Sequence, residues 1–257
     1  MNNRGRINWL GLLLVLFTMV PWLSGCTTVY NPVTGKSEST LYSSQDELSM
    51  GKAVDAQIKK EYKASQDQAL LARIKTIGDR VAVNAGRSDI PFTFQVLETD
   101  QVNAFAGPGG YVYVTTGLLK LVGSDDELAC VLGHEIGHVA ARHAVKQLQS
   151  QVFYSLSASI IFSEERYAEI EKAVNLAFNL RQLSYSRKDE LQADELGMQY
   201  GLKSGYKPEG MLSFLKKLAE IEKKQPRLII VPLSTHPVTS VRIENATAWI
   251  ESKRRSA

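Results

Sequence analysis

The sequence predicts an α+β domain, mostly α-helical, with a small antiparallel sheet set beside one central helix. Three observations predict it. Apolar residues recur at helical spacing, as in Leu70, Leu71, Ile74, Ile77 and Val81. Two short stretches, Phe92 to Leu97 and Tyr111 to Thr115, carry the alternating aromatic and β-branched pattern of strands. From Ser124 to His143 runs SDDELACVLGHEIGHVAARH, which holds three of the four histidines. Within it, His134-Glu135-x-x-His138 puts two imidazoles on one face of a helix, with a carboxylate beside them.

The N-terminus reads as an export signal. Arg4 and Arg6 precede an apolar run from Trp9 to Val20, shorter than the ~20 residues a membrane-spanning helix needs. Leu23-Ser24-Gly25-Cys26 then resembles the bacterial lipoprotein box, in which the cysteine is lipidated and becomes the first residue. Residues 1–25 are therefore expected to be a signal peptide, and Cys26 the attachment point for a membrane lipid. Residues 26–42, which include polar NPVTGKSES, are expected to be a flexible tether, and 43–253 a single domain. Thr27 in place of Asp after the cysteine resembles the outer-membrane sorting signal, so the expected location is a bacterial envelope, facing the periplasm.

The 257 residues are 44% apolar and 22% charged, an ordinary globular balance. Net charge is +3, and the only dense basic run is Lys253-Arg254-Arg255, so no nucleic-acid partner is expected. Of two cysteines, Cys26 would carry lipid. Cys130 is four residues before His134 and is read as a small core residue rather than a ligand.

In chain order, a Ser43/Ser44 start leads a helix to about Ala64, and a second helix runs from Gln68 to Asn84, stopped by Gly86. After the first strand, Asn103-Ala104-Phe105-Ala106, the turn Gly107-Pro108-Gly109-Gly110 and the second strand read as a hairpin. Ser124 and Glu127 form a capping box that starts the central helix, expected to reach about Gln149. Residues 151–180 read as a helix or flap over the cleft. Further helices are expected over Tyr185–Lys203, Pro208–Lys223 and Val238–Lys253.

Two histidines need a third ligand. His143 lies five residues after His138, Ala141 stands where a helix-breaking glycine would be required, and a continuing helix would turn His143 away. Glu190 and Asp194, four apart on the later helix, could instead supply a ligand carboxylate and an acceptor for a ligand histidine's N–H. The alternative is an acidic solvated face, and the upstream motif favours the ligand reading.

HEIGHVAARH, then DELQADELG, then Ser234-Thr235-His236-Pro237 with Arg242-Ile243 resembles the HtpX-like and CAAX-prenyl-endopeptidase-like family of zinc metallopeptidases, of gluzincin type, in particular its small periplasmic lipoprotein members. The resemblance spans about Ser43 to Ile250, but the membrane helices of HtpX-type proteins do not appear around the motif here. It implies one Zn2+ held by His134, His138 and Glu190, with Glu135 as general base and acid. It further implies that His236 steadies the oxyanion, that Asn103 binds substrate backbone, and that Arg187 and Arg242 brace the acidic helix and the cleft. The expected substrates are unfolded or extended polypeptides. The strand through Tyr111, Val112 and Tyr113, with neighbouring Ala104, is the expected edge for β-addition of the peptide.

Overall fold

The computed structural model describes residues 27–158, 185–224, 236 and 240–256, with side chains omitted for 151–158 and 256. Cys26 and most of the expected flap lie outside the described residues. The elements are β1 (Thr27–Asn31), β2 (Lys36–Thr40), α1 (Ser44–Glu61), α2 (Gln68–Ala82), β3 (Thr93–Leu97), β4 (Ala104–Ala106), β5 (Tyr111–Thr115), α3 (Thr116–Leu121), α4 (Asp125–Ala140), α5 (His143–Ala158), α6 (Arg187–Lys203), α7 (Glu209–Lys224) and α8 (Ser240–Ser256). The α+β, mostly helical expectation holds. No described helix is long and apolar enough to cross a membrane.

Part of the expected tether is structured. β1 and β2 pair antiparallel from Thr27↔Thr40 to Asn31↔Lys36. Their turn closes because the buried Asn31 side chain accepts from Val33 N at 2.9 Å, while Gly35 takes φ +66°. The hairpin is fixed to α5 by Thr40 Oγ1, which donates to Gln149 Oε1 at 3.0 Å, and by a Lys146–Glu38 ion pair.

Caps set the helix starts. Ser43 and Asp46 make a reciprocal capping box on α1, and Asp67 accepts from Ala69 N and Leu70 N on α2. Ser124 caps α4, but its expected box is only half made. Glu127 turns away to Gly123 N, Ser213 and Lys217.

The second sheet is mixed rather than antiparallel. Its order is β3-β5-β4, with β3 parallel to β5 and β4 antiparallel to it. The β4–β5 hairpin is as expected; the parallel pairing places β5 in the centre. Residues 63–65 bond to β3's other side, through Ser65 N to Val96 O and Glu98 N to Lys63 O. Among the described residues, only the outer side of β4 lacks a paired strand.

α4 is the pivot of the domain. Every residue from Glu127 to Ala140 is buried, with α2, α6, α7 and the sheet around it. Leu128, Leu132 and Ile136 are fully sealed against Ile74, Ile77, Val81, Val112 and Val114. Each such side chain contributes about 1.5–3 kcal/mol of burial, which offsets the cost of carrying a polar motif through the core. Rather than continuing to Gln149, the helix stops at Ala140. Arg142 takes φ +57°, and α5 begins afresh at His143.

Candidate metal centre

α4 and α6 approach so closely that a Cβ on Gly197 would lie 2.8 Å from His134 N and 2.9 Å from Cys130 O. One on Gly133 would meet Gly197 O at 2.8 Å. This glycine contact brings the carboxylates of α6 up to the histidines of α4. His134 Nε2 and His138 Nε2 are 3.0 Å apart. Glu190 Oε2 is 3.6 Å from the first and its Oε1 3.4 Å from the second. His236 Nδ1 lies 2.7 Å from Glu190 Oε1 and 3.3 Å from His134 Nε2. One ligand atom from each of the four residues falls within 4.8 Å of all the others, and all four residues are buried.

Around them stands a hydrogen-bonded frame. Asp194 accepts from His134 Nδ1 at 2.9 Å, which leaves Nε2 with its lone pair toward the cluster. Arg242 donates to both oxygens of Asp194, at 2.7 and 2.6 Å, pairs with Glu190 Oε2 at 2.8 Å and reaches His236 O at 3.1 Å. Glu135 is buried on the same helix, its Oε1 4.0 Å from His236 Nε2. Tyr185 stacks on His138 with ring centroids 4.1 Å apart.

A neutral His138 and a charged Glu190 suit a cation at the centre, while His236 is held toward its own charged form. Burial pushes His138 well below the ordinary imidazole value, which keeps it neutral, as a metal ligand must be. Burial would raise Glu190, but His236, His138 and His134 outweigh it and hold the carboxyl below its usual range. Burial likewise works against charge on His236, yet Glu190 and Glu135 lift it above its ordinary value. Imidazole nitrogens and a carboxylate converging in a buried space suit a divalent ion such as zinc.

Several expected site residues stand elsewhere. β5 cannot be a peptide-binding edge, because both its sides are paired: Val112 and Tyr113 are fully buried, Tyr113 OH donates to Asp55 Oδ1 at 2.9 Å, and Tyr111 packs on α1 at Gly51. Among the described residues, the unpaired edge of the sheet is β4. Arg187 opens α6 on the surface, three residues before Glu190. His236 stands in the same buried group as His134, His138 and Glu190. Cys130 is fully buried, and burial pushes its thiol up to about 12, as a core residue. Asn103 is bonded through its backbone to Thr115, while its buried side-chain Oδ1 has no hydrogen-bond partner among the described residues. Ala104 lines an apolar cavity with Val102, Val131 and Phe214 that opens onto His134, Glu135 and His236.

Reading the sequence missed Tyr185 and the contact between His143 and His138. The third histidine within ten residues was a signal for the latter, but assuming an unbroken helix hid it. Nothing in the sequence around Tyr185 marks it.

Similarity to known proteins bears on the same segment. The family model for peptidase family M48 matches residues 68–250. A beta-barrel assembly-enhancing protease of Yersinia pestis is 30% identical over 227 residues, covering 84% of this chain and 46% of that protein. Its counterpart in Escherichia coli K12 is 27% identical over the same shares of the two chains. A mitochondrial metalloendopeptidase of Saccharomyces cerevisiae is 32% identical over 155 residues, 59% of this chain and 44% of that protein. The chain thus spans about half the length of the curated relatives it matches. The matched segment runs from α2 to α8 and takes in every residue of the cluster, and on that match the chain belongs to peptidase family M48.

Proposed function

We propose that the chain is a zinc-dependent endopeptidase acting on unfolded or misassembled proteins of a bacterial envelope, held at the membrane by lipid on Cys26. One observation carries the chemistry: a buried set of His134, His138 and Glu190, with Glu135 on the same helix. The names of the bacterial relatives support the envelope setting.

His134, His138 and Glu190 would hold the metal, which when bound supplies Lewis acidity and makes a water nucleophilic near neutral pH. Glu135 would accept a proton from the attacking water and return it to the leaving amine. Asp194 and Arg242 keep His134 and Glu190 in place. His236 is the candidate donor to the carbonyl oxygen as charge develops there. An extended peptide would add to the outer side of β4, where Ala104 and Ala106 turn their backbone groups away from β5, with Asn103 beside it. Backbone recognition of this kind suits loosely folded substrates of varied sequence.

The position of His236 favours a second reading. As a fourth ligand it would fill the position a catalytic water needs, giving a gated, rarely active site on a chaperone-like or assembly lipoprotein. Digestion of casein with and without chelator separates the two. Chelator-sensitive cleavage supports the endopeptidase; a zinc-loaded protein that leaves casein intact supports the gated site.

A further inference from the structure

We infer that His143 is a positioning residue that fixes the tautomer of His138, so that His138 offers its Nε2 lone pair to the metal. The inference rests on the metal-centre reading above and adds a residue to it.

The hydrogen-bond chain has one consistent direction. His143 Nε2 faces two oxygen acceptors on α6, Gln192 Oε1 at 3.0 Å and Asp189 Oδ1 at 3.5 Å, so Nε2 carries the proton. A neutral imidazole has one N–H, and His143 Nδ1 is therefore an acceptor. It lies 2.9 Å from His138 Nδ1. Two ring nitrogens at that distance need one donor and one acceptor unless an ion lies between them, as it would between the two Nε2 atoms of the cluster; His143 lies outside that group, so His138 Nδ1 donates. Its Nε2 is then left as a lone pair, aimed at His134 Nε2 and Glu190. Both ligand histidines are set the same way, His134 by the carboxylate of Asp194 and His138 by a neutral imidazole and the acceptors on α6.

The backbone is built for this contact. On an unbroken helix, five residues would rotate His143 about 140° away from His138. The positive φ of Arg142 breaks the helix and turns the ring back, leaving it only 4% exposed. The break is held from a distance. Arg142 pairs with buried Glu47 of α1 and bonds Ser44 at 3.1 Å, while Arg87 donates to Val139 O at 3.0 Å and pairs with Glu47 at 3.1 Å. This buried group lies away from the cluster, and it gives His143 its angle.

Zinc titration against a chromophoric chelator, with circular dichroism as the folding control, tests the inference on three proteins. His143→Phe keeps a ring but offers no acceptor, and zinc affinity should fall by about 10–100-fold. His143→Asn places an amide oxygen near the Nδ1 position and should recover most of that loss, which a purely space-filling role would not explain. Nitrogen-detected NMR of the unmutated zinc protein should show His138 protonated at Nδ1, and this reading stands even if the Phe variant does not fold. Equal zinc affinity of folded His143→Phe and the parent, or a proton on His138 Nε2, overturns the inference. Failure of the parent itself to bind zinc overturns the metal centre instead.

Discussion

Arg242 grips Asp194 with a two-pronged contact, Nε to Oδ2 at 2.7 Å and Nη2 to Oδ1 at 2.6 Å, and both residues are nearly sealed from solvent. Through this pair the last helix, α8, holds the carboxylate that orients His134. Burial lowers the tendency of Asp194 to ionise, but Arg242 and His134 outweigh it and keep the carboxyl below its ordinary range. Lysine retains the charge and loses the fork, so Arg242→Lys should weaken zinc binding by about 10–100-fold while the protein stays folded. Arg242→Ala leaves two buried carboxylates uncompensated and should cost about 3–5 kcal/mol in urea denaturation of the metal-free protein. Unchanged zinc affinity in the lysine variant would mean that the fork has no part in orienting His134.

Glu135→Gln tests the proton path. The amide keeps the shape of the side chain and cannot take a proton, so casein cleavage should drop by about 10²–10⁴-fold with zinc content unchanged. A variant that cuts at the parent's rate would remove Glu135 from its assigned role.

Gly197→Ala tests the helix contact that assembles the site. Helix propensity alone would favour alanine by ~1 kcal/mol. The added Cβ, however, would stand 2.8 Å from His134 N and 2.9 Å from Cys130 O, both on a rigid backbone. Overpacking of that kind costs about 1–3 kcal/mol, so the net change should be destabilising. As α6 is pushed off, Glu190 recedes from the histidines, and zinc affinity should fall along with thermal stability. A stabilised variant with full zinc affinity would show that the two helices have room to separate.

Glu127 gives the fold an acid-sensitive tie. Burial raises its carboxyl, but Lys217, Ser213 and Gly123 N outweigh that and lower it below the ordinary value. A carboxyl lowered by folding stabilises the native state above the ordinary carboxylate range. That contribution is lost as pH falls through the folded-state value. Glu127→Gln should therefore be less stable than the parent at neutral pH, on the order of 1 kcal/mol. The gap should close as pH falls below the ordinary carboxylate range in a series of urea midpoints. A gap that is constant with pH would assign the loss to packing rather than to charge.

The two histidines on α4 and the carboxylates on α6 were legible because their chemistry sits at helical spacing within short segments. His134 with His138 and Glu190 with Asp194 are each four residues apart, and local geometry alone places each pair on one face. What was hidden depends on distant partners. The break at Arg142 is held by Glu47, far upstream, so nothing near His143 announces that its ring turns back. β5 reads equally well as edge or centre until β3 pairs beside it in parallel. The first hairpin was concealed by a polar composition with Pro and Gly, which describes its turn better than its strands. Arg187 shows the limit of such spacing: it stands near the acidic residues in sequence, yet its side chain at the start of α6 is exposed while Glu190, three residues on, is buried.

The edge of β4 offers the sharpest test of how substrate is held. Asn103 and Gly107 bond to β5 through Thr115 N and Tyr111 O, and the alternation of an antiparallel pair then turns Ala104 and Ala106 outward. Ala106→Pro removes one outward N–H and leaves the β4–β5 ladder intact, a substitution edge strands tolerate. If an extended peptide bonds to that N–H, losing about 1–1.5 kcal/mol of binding should lower kcat/KM on casein-derived peptides by roughly tenfold. Zinc affinity should not move, because Ala106 is not one of the four cluster residues and the substitution leaves their side chains unchanged. Glu135→Gln would show the opposite pattern, with peptide capture kept and turnover lost, so the two variants together separate holding from cutting. Full activity in a folded Ala106→Pro protein would direct the search for the peptide's path away from β4.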